Sequence, residues 1–126
     1  MKVMVVDDEK DIRDLFEQRF RKEIRSGQVA FLFAFSGEEA RQYLESNGAS
    51  AIRQILSDIN MPGMNGLELL RWIKTTYPEL KVAMITAYND QKNYQQALEY
   101  GCDDYLIKPI DFNQLREKVL PEPPNS

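Results

Sequence analysis

Histidine is absent from the 126-residue chain, and cysteine occurs once, as Cys102. Without histidine the chain has no imidazole base for Ser-His-Asp or Cys-His catalysis, no histidine metal site and no histidine pH switch. A single cysteine can form neither an intramolecular disulfide nor a zinc cluster, which is typical of proteins that fold in a reducing cytoplasm. Any chemistry must therefore depend on carboxylates, hydroxyls and lysine.

Long apolar runs and an excess of positive charge are missing as well. No apolar stretch approaches the roughly 18 residues of a membrane-spanning helix, and residues 1–6 reach an aspartate before a signal-peptide core could form. Lysine and arginine total 16 against 20 acidic residues, a net charge of -4 that provides no broad basic surface. We therefore expect a cytoplasmic protein that enters no membrane and whose domain makes no direct contact with nucleic acid.

Two patterns alternate along the chain. Short, β-branched apolar runs predict strands at 2–7, 29–35, 52–58, 80–86 and 105–107. Apolar residues at three- and four-residue intervals predict helices at 11–24, 36–47, 67–76, 89–100 and 111–120, the second of them opened by a capping box from Ser36 to Glu39. Five β–α pairs predict a doubly wound α/β sandwich with a parallel five-stranded sheet. Residues 1–120 are predicted to be one domain, and the proline-rich residues 121–126 a tail or the start of a linker.

Five residues with reactive or charged side chains stand at the downstream ends of predicted strands: Asp7, Asp8, Asp58, Thr86 and Lys108. Singly, each has an ordinary explanation, because aspartate favours turns and helix N-termini, threonine is common in strands and a lysine at a strand end is easily solvated. The carboxyl ends of parallel strands, however, form the ligand crevice of such a sheet. Three acids, a hydroxyl and an ammonium group that meet there could hold and transfer a phosphoryl group.

Four segments carry a resemblance to a known family. The chain resembles the response-regulator receiver domain of two-component signalling, a CheY-like domain, over about residues 2–120. The segments are Val5-Val6-Asp7-Asp8-Glu9, Asp58-Ile59-Asn60-Met61-Pro62-Gly63-Met64-Asn65-Gly66, Thr86-Ala87 and Gly101-Cys102-Asp103-Asp104-Tyr105-Leu106-Ile107-Lys108-Pro109. The resemblance implies a flavodoxin-like fold with strand order 2-1-3-4-5.

The resemblance also implies a metal-assisted phosphoacceptor. Asp58 would be the nucleophile that becomes an aspartyl phosphate. A carboxylate is a weak nucleophile toward an anionic donor, so Mg²⁺ or Mn²⁺ would offset the repulsion. Asp8, Asp58 and the backbone carbonyl of Asn60 would be its direct ligands, and Asp7 would act through water.

Two further residues would contact the transferred group. Lys108 would pair with one phosphoryl oxygen, and Thr86 would donate a hydrogen bond to another. The bond between Lys108 and Pro109 is expected to be cis, as in the family.

The resemblance implies switching rather than turnover of a substrate, so the domain would catalyse only its own phosphorylation and dephosphorylation. Thr86 would move toward phosphorylated Asp58, and Tyr105 would turn into the vacated space. The surface formed by the fourth helix, the fifth strand and the fifth helix would then change. The alternative for Tyr105 is a half-buried strand aromatic with its hydroxyl in water.

Four positions are candidates for signal lifetime and docking. Asn60 and Tyr88 are expected to border the path of hydrolytic water, and we hypothesise that Tyr88 shields the acyl phosphate. An unchanged autodephosphorylation rate in Tyr88→Ala would show this to be wrong. Ile12 and Leu15, near the start of the first helix, could meet the phosphodonor, although core packing explains them equally well.

The expected partners are a sensor histidine kinase or a histidine phosphotransfer protein as donor, and an effector domain or protein as target. A homodimer through the surface of the fourth helix, fifth strand and fifth helix is also possible. Two other functions stay open. A phosphohydrolase similar to the haloacid dehalogenase group would have Asp-x-Asp after the first strand, whereas the nucleophile-like aspartate here follows the third, and little chain remains for a substrate cap. A receiver-like scaffold would take no phosphate at all.

Overall fold

The strands form one parallel sheet in the computed structural model, which describes residues 2–87 and 90–120. In chain order they are β1 (Lys2–Val6), β2 (Ala30–Ala34), β3 (Ile52–Asp58), β4 (Lys81–Thr86) and β5 (Asp104–Ile107). Every neighbouring pair is parallel, and the order across the sheet is β2-β1-β3-β4-β5. The predicted fold class and strand order are therefore confirmed.

In the part of the chain that the structure describes, six helices connect and cover these strands: α1 (Asp11–Arg19), α2 (Arg21–Arg25), α3 (Gly37–Asn47), α4 (Gly66–Thr76), α5 (Gln91–Glu99) and α6 (Phe112–Val119). The longest, α3 and α4, have 11 residues each. Within the two described ranges, no helix combines the length and the apolar character needed to cross a bilayer. The prediction for residues 121–126 lies outside the described residues.

The first predicted helix is wrong in one respect, because it divides at Phe20. The backbone there has φ -109° and ψ 22°, which ends α1 and starts α2. Phe20 is fully buried, and its ring lies 5.0 Å from that of Phe31 on the edge strand β2 and 6.2 Å from that of Phe112. Tertiary packing of this aromatic side chain overrides a continuous helical pattern. The fourth and fifth predicted helices are consequently α5 and α6.

Strand side chains alternate between two apolar cores, one on each face of the sheet. Met4, Val82 and Met84 pack in the core that α3, α4 and α5 cover. Val5 and Leu56 pack in the other, which α1 and α6 cover. Because both faces are buried, the central strands read as continuous apolar runs rather than as alternating ones. This coverage leaves the carboxyl ends of the strands as the open edge where polar groups can gather.

Polar side chains cap the N-termini of α3 and α6. The Ser36 Oγ accepts a hydrogen bond from the backbone N–H of Glu39 at 3.0 Å, as the predicted capping box requires. The reciprocal bond differs, because the Glu39 carboxylate accepts from the N–H of Phe35 at 3.3 Å instead of that of Ser36. Asp111 caps the last helix, since its side chain accepts from the N–H groups of Asn113 and Gln114.

Candidate functional site

The five predicted site residues lie at one edge of the sheet. Asp7 and Asp8 follow β1, Asp58 ends β3, Thr86 ends β4 and Lys108 follows β5. These strands are direct neighbours, so their ends come together because the register is regular there: Val6 pairs with Ser57, Asp58 with Ile85, and Thr86 with Ile107. The expected convergence therefore takes place.

Three carboxylates form the centre of the site. One oxygen from each of Asp7, Asp8 and Asp58 lies within 4.8 Å of the others. Asp7 and Asp58 are each only 5% exposed, whereas Asp8 is open to solvent. Burial raises the pKa of Asp7; the Glu9 backbone N–H, which donates to its Oδ1 at 2.9 Å, opposes the rise, and the charge of Asp58 adds to it. The site thus holds acidic charge at an electrostatic cost.

Lys108 supplies the opposing charge. Its Nζ donates to Oδ2 of Asp58 at 2.9 Å, while Oδ1 accepts from the backbone N–H of Asn60 at 3.3 Å. Burial alone would lower the pKa of Lys108, but the hydrogen bond and charge of Asp58 outweigh that effect and raise it. The bond between Lys108 and Pro109 is cis, the geometry that the resemblance implies. The hydrogen bonds from Lys108 and Asn60 hold both carboxylate oxygens of Asp58 in fixed directions.

Thr86 is joined to Lys108 through the backbone. Its carbonyl accepts from the Lys108 backbone N–H at 2.8 Å, which fixes the two residues next to each other. The residue is 1% exposed, and its Oγ1 makes no hydrogen bond of acceptable geometry within residues 2–87 and 90–120. An unpaired buried hydroxyl costs about 1–3 kcal/mol. Thr86 therefore has an unused hydrogen-bonding group at the end of β4, the strand that lies between β3 and β5.

Tyr105 connects Thr86 with the protein surface. Burial raises the pKa of its hydroxyl, and the nearby Thr86 hydroxyl offsets part of the rise, although the approach is too poor to count as a hydrogen bond. The Tyr105 ring packs edge-on against that of Tyr94 in α5, with 4.5 Å between centroids. Tyr105 therefore lies near the Thr86 hydroxyl and contacts α5 through Tyr94.

The loop after Asp58 is shaped by a glycine. The Gly66 N–H donates to the carbonyl of Ile59 at 2.8 Å, which closes the loop and starts α4. A Cβ on Gly66 would overlap the carbonyl of Asp58 and lie 2.8 Å from the Cα of Ile59. The first turn of α4 can therefore approach the backbone of the central aspartate only because residue 66 has no side chain.

Comparison with known proteins identifies the family of the chain. Residues 3–120 match the family described as Response regulator receiver domain. The chain belongs to this family. Such domains are phosphoacceptor signalling modules of two-component systems, and they generally bind Mg²⁺.

Individual relatives agree with the assignment. The receiver domain is 37% identical over 121 residues to the response regulator protein PilR of Pseudomonas aeruginosa, covering 94% of this chain and 25% of PilR. It is 38% identical over 112 residues to the DNA-binding transcriptional regulator NtrC of Escherichia coli K12, covering 89% of this chain and 22% of NtrC. The receiver domain thus spans about a quarter of the length of these curated relatives.

Solved structures show the same fold. A response regulator receiver domain protein from Clostridium thermocellum superposes with a TM-score of 0.82 at 27% identity, covering 94% of this chain and 90% of that one. The receiver domain of NtrX from Brucella abortus superposes with a TM-score of 0.77 at 30% identity, covering 94% and 98%.

The structure describes three of the four residues predicted for signal lifetime and docking. Ile12 is half-buried and packs against the core between α1 and α6, whereas Leu15 is 36% exposed. Asn60 is exposed directly after β3. Tyr88 lies outside the described residues, so its shielding role stays a prediction, as does docking at Ile12 and Leu15.

Sequence reasoning missed contacts that support the site through the backbone. The Ser57 Oγ donates to the carbonyl of Asp58 at 3.0 Å, and the Glu9 N–H orients Asp7. The Glu38 carboxylate accepts from the N–H of Met64, in the loop that follows Asp58. In each of these contacts one partner is a backbone group, which leaves no pattern in the sequence. The contact of Glu9 is the exception that could have been suggested, because Glu9 follows Asp7 by two positions.

Proposed function

We propose that this receiver domain accepts a phosphoryl group on Asp58 and that the modification changes the surface formed by α5, β5 and α6. One observation carries the proposal. Three carboxylate oxygens lie within 4.8 Å of one another, and the Lys108 ammonium contacts one of these carboxylates, that of Asp58, at 2.9 Å. This combination provides a nucleophile, oxygen ligands for a cation and a fixed positive charge in one place.

The donor set suits a hard divalent cation. Only oxygen ligands are present in the carboxylate cluster, and Mg²⁺ or Mn²⁺ prefers such ligands. Asp8, Asp58 and the carbonyl of Asn60 would hold the ion directly, and Asp7 through water. Because burial already disfavours the charged form of Asp7, an added cation would relieve this strain. When bound, the ion neutralises the acidic cluster and polarises a phosphoryl oxygen.

The residues of the chain supply the transfer chemistry. A carboxylate oxygen of Asp58 attacks the phosphorus in line, and its O–P bond forms as the P–N bond of a donor phosphohistidine breaks. The bonding pair stays on the ring nitrogen, and the imidazole leaves neutral because its other nitrogen already carries a proton. The Lys108 Nζ stabilises the charge on the transferring group. The Thr86 hydroxyl, which has no partner among the described residues, donates to another phosphoryl oxygen.

The Thr86 hydroxyl also couples phosphorylation to a conformational change of the domain. A new bond to the phosphoryl group satisfies a buried Thr86 hydroxyl, worth about 1–3 kcal/mol, and about 1.4 kcal/mol shifts a two-state equilibrium tenfold. Displacement of Thr86 toward Asp58 changes the packing of Tyr105 against Tyr94. This differential contact is what biases the two conformations.

The surface beyond Tyr105 offers apolar groups to an output partner. Tyr94, Leu98 and Ile107 are 38%, 47% and 51% exposed on α5 and β5. We propose that an effector domain or protein, or a second copy of the chain, binds there after phosphorylation. The donor is a sensor histidine kinase or a histidine phosphotransfer protein, in agreement with the relatives being response regulators.

Intact mass spectrometry tests the proposal. The protein is mixed with Mg²⁺ and a small phosphodonor, with Asp58→Ala as the test variant and Asp14→Ala, an exposed residue in the first turn of α1, as the control. A single phosphoryl adduct that only Asp58→Ala loses supports the receiver function. Repeated release of phosphate without a retained adduct would indicate a phosphohydrolase, and no adduct at all would indicate a scaffold.

A further inference from the structure

The loop between β3 and α4 is well fixed at its base. It carries Asn60, whose carbonyl is the proposed backbone ligand. At the base, Gly66 bonds to Ile59, and the Met61 side chain is 7% exposed. The tip, with Pro62 and Gly63, is exposed. These contacts fix the base of the loop and leave the tip to a separate anchor.

The first turn of α3 provides that anchor. The Glu38 Oε2 accepts a hydrogen bond from the Met64 N–H at 3.1 Å. Gly63, at φ +73°, lies so close to this carboxylate that a Cβ there would overlap it. A Cβ on Gly37 would lie 2.6 Å from the carbonyl oxygen of Met64. Two adjacent residues of α3 thus contact the loop tip, one through a side chain and one by close backbone approach.

The neighbouring acid holds a different segment. Glu39 belongs to the same helical turn and is also exposed, but its carboxylate accepts from the Phe35 N–H at the end of β2. Both acids carry the same charge, and both interact favourably with the helix N-terminus. They differ in one relevant respect: among the hydrogen bonds of the described residues, that of Glu38 reaches the loop that follows Asp58, and that of Glu39 does not.

We propose that Glu38 is a positioning residue for the metal site, acting through the backbone of the β3–α4 loop. This inference rests on the proposed function. By holding the Met64 N–H, Glu38 restricts the loop to the shape in which the Asn60 carbonyl and the Asp58 carboxylate face the same ion. Ligands that are already ordered bind an ion more tightly, because less conformational entropy is lost on binding.

Calorimetric Mg²⁺ titrations of four proteins test this role: the wild type, Glu38→Ala, Glu38→Gln and Glu39→Ala. We expect Glu38→Ala to weaken Mg²⁺ binding by roughly three- to tenfold, equivalent to about 0.6–1.4 kcal/mol. Glu38→Gln keeps a carbonyl acceptor for the Met64 N–H and should bind almost as the wild type does. Glu39→Ala removes the same charge from the same turn and should also bind normally.

Amide hydrogen exchange of the metal-free proteins gives a second readout that does not depend on activity. The Met64 N–H should exchange several-fold faster in Glu38→Ala than in the wild type, with no such change in Glu39→Ala. Thermal unfolding of each variant shows whether the whole fold has been weakened instead.

The outcomes separate this inference from the function on which it rests. A wild type that binds no Mg²⁺ and forms no adduct overturns both. A wild type that binds Mg²⁺ beside a Glu38→Ala variant of equal affinity overturns only the positioning role. Equal weakening in Glu38→Ala and Glu38→Gln would show that charge matters rather than the hydrogen bond, and equal weakening in Glu39→Ala would show a general effect of α3; either result overturns the inference.

Discussion

Replacement of Asp7 by asparagine should make the metal-free protein more stable while weakening its response to Mg²⁺. Asp7 is buried beside Asp58 with a raised pKa, so its negative charge opposes folding when no cation is present. Asparagine has nearly the same shape and keeps an oxygen that can accept from the Glu9 N–H. The substitution therefore removes the charge without removing the local hydrogen bond.

The expected gain follows from the geometry. Two unit charges 4.8 Å apart repel by roughly 1 kcal/mol in water and by roughly 3.5 kcal/mol at an effective dielectric constant of about 20. The attraction between Asp7 and Lys108, which is also lost, lowers this value. We expect the free energy of unfolding to rise by about 1–2 kcal/mol, which raises the melting temperature by roughly 3–8 °C for a domain of this size.

The effect should depend on pH with a defined sign. The pKa of Asp7 is higher in the folded protein than its ordinary value of 3.8, so protonation of this group stabilises the fold. That stability is fully present below 3.8 and is lost as the pH rises through the folded-state pKa. The advantage of Asp7→Asn should therefore be largest near neutral pH and should shrink as the pH falls.

Urea unfolding in EDTA and in excess Mg²⁺ measures both parts of the prediction. Asp14→Asn, which makes the same change outside the cluster, is the control. Wild type should gain stability from Mg²⁺ by about 2.7 kcal/mol at a concentration 100 times the dissociation constant, and Asp7→Asn should gain much less. The reasoning is refuted if Asp7→Asn is less stable than the wild type in EDTA, or if both proteins respond equally to the metal.

Three further predictions concern the groups around the site. Lys108→Ala should slow adduct formation on Asp58 by at least about tenfold, measured by intact mass, because the charge on the transferring group loses its ammonium partner; an unchanged rate would contradict that role. Gly66→Ala should lower the free energy of unfolding, measured in urea, by about 2 kcal/mol or more, because the added Cβ overlaps the Asp58 carbonyl. A variant as stable as the wild type would show that the loop can move to accommodate the Cβ. Asp103, whose carboxylate loses solvation but gains bonds from Lys74 and a backbone N–H, has a lowered pKa. It should therefore stabilise the fold by about 1 kcal/mol above pH 3.8, a contribution that Asp103→Asn lacks and that disappears for the wild type as the pH falls through the folded-state pKa.

Much of the fold could be predicted because its signals are local. The strand at 52–58 was predicted with its observed bounds, and the other four strands within a residue or two. A sheet buried on both faces leaves a continuous apolar run in the chain, and strict β–α alternation permits few topologies. The order 2-1-3-4-5 came from the resemblance rather than from these patterns.

The division of the first helix at Phe20 has no local signal in the sequence, because it results from packing against Phe31 and Phe112. In the site, the sequence identified the residue types and their strand ends, so Asp7, Asp8, Asp58 and Lys108 could be grouped before any coordinates were known. It could not show that Lys108 contacts Asp58 at 2.9 Å, or that the Thr86 hydroxyl has no partner among the described residues.

The order of amino acids specifies the chemical groups of the site: acids, a hydroxyl and a lysine placed where parallel strands end, in a chain without histidine. How these groups are held depends on the packed fold, because distances, burial and backbone partners arise between segments far apart in the chain. Glu38 shows the difference. Its local role is that of an ordinary first-turn acid, and its contact with Met64, 26 positions away, exists only once α3 and the loop after Asp58 have packed together.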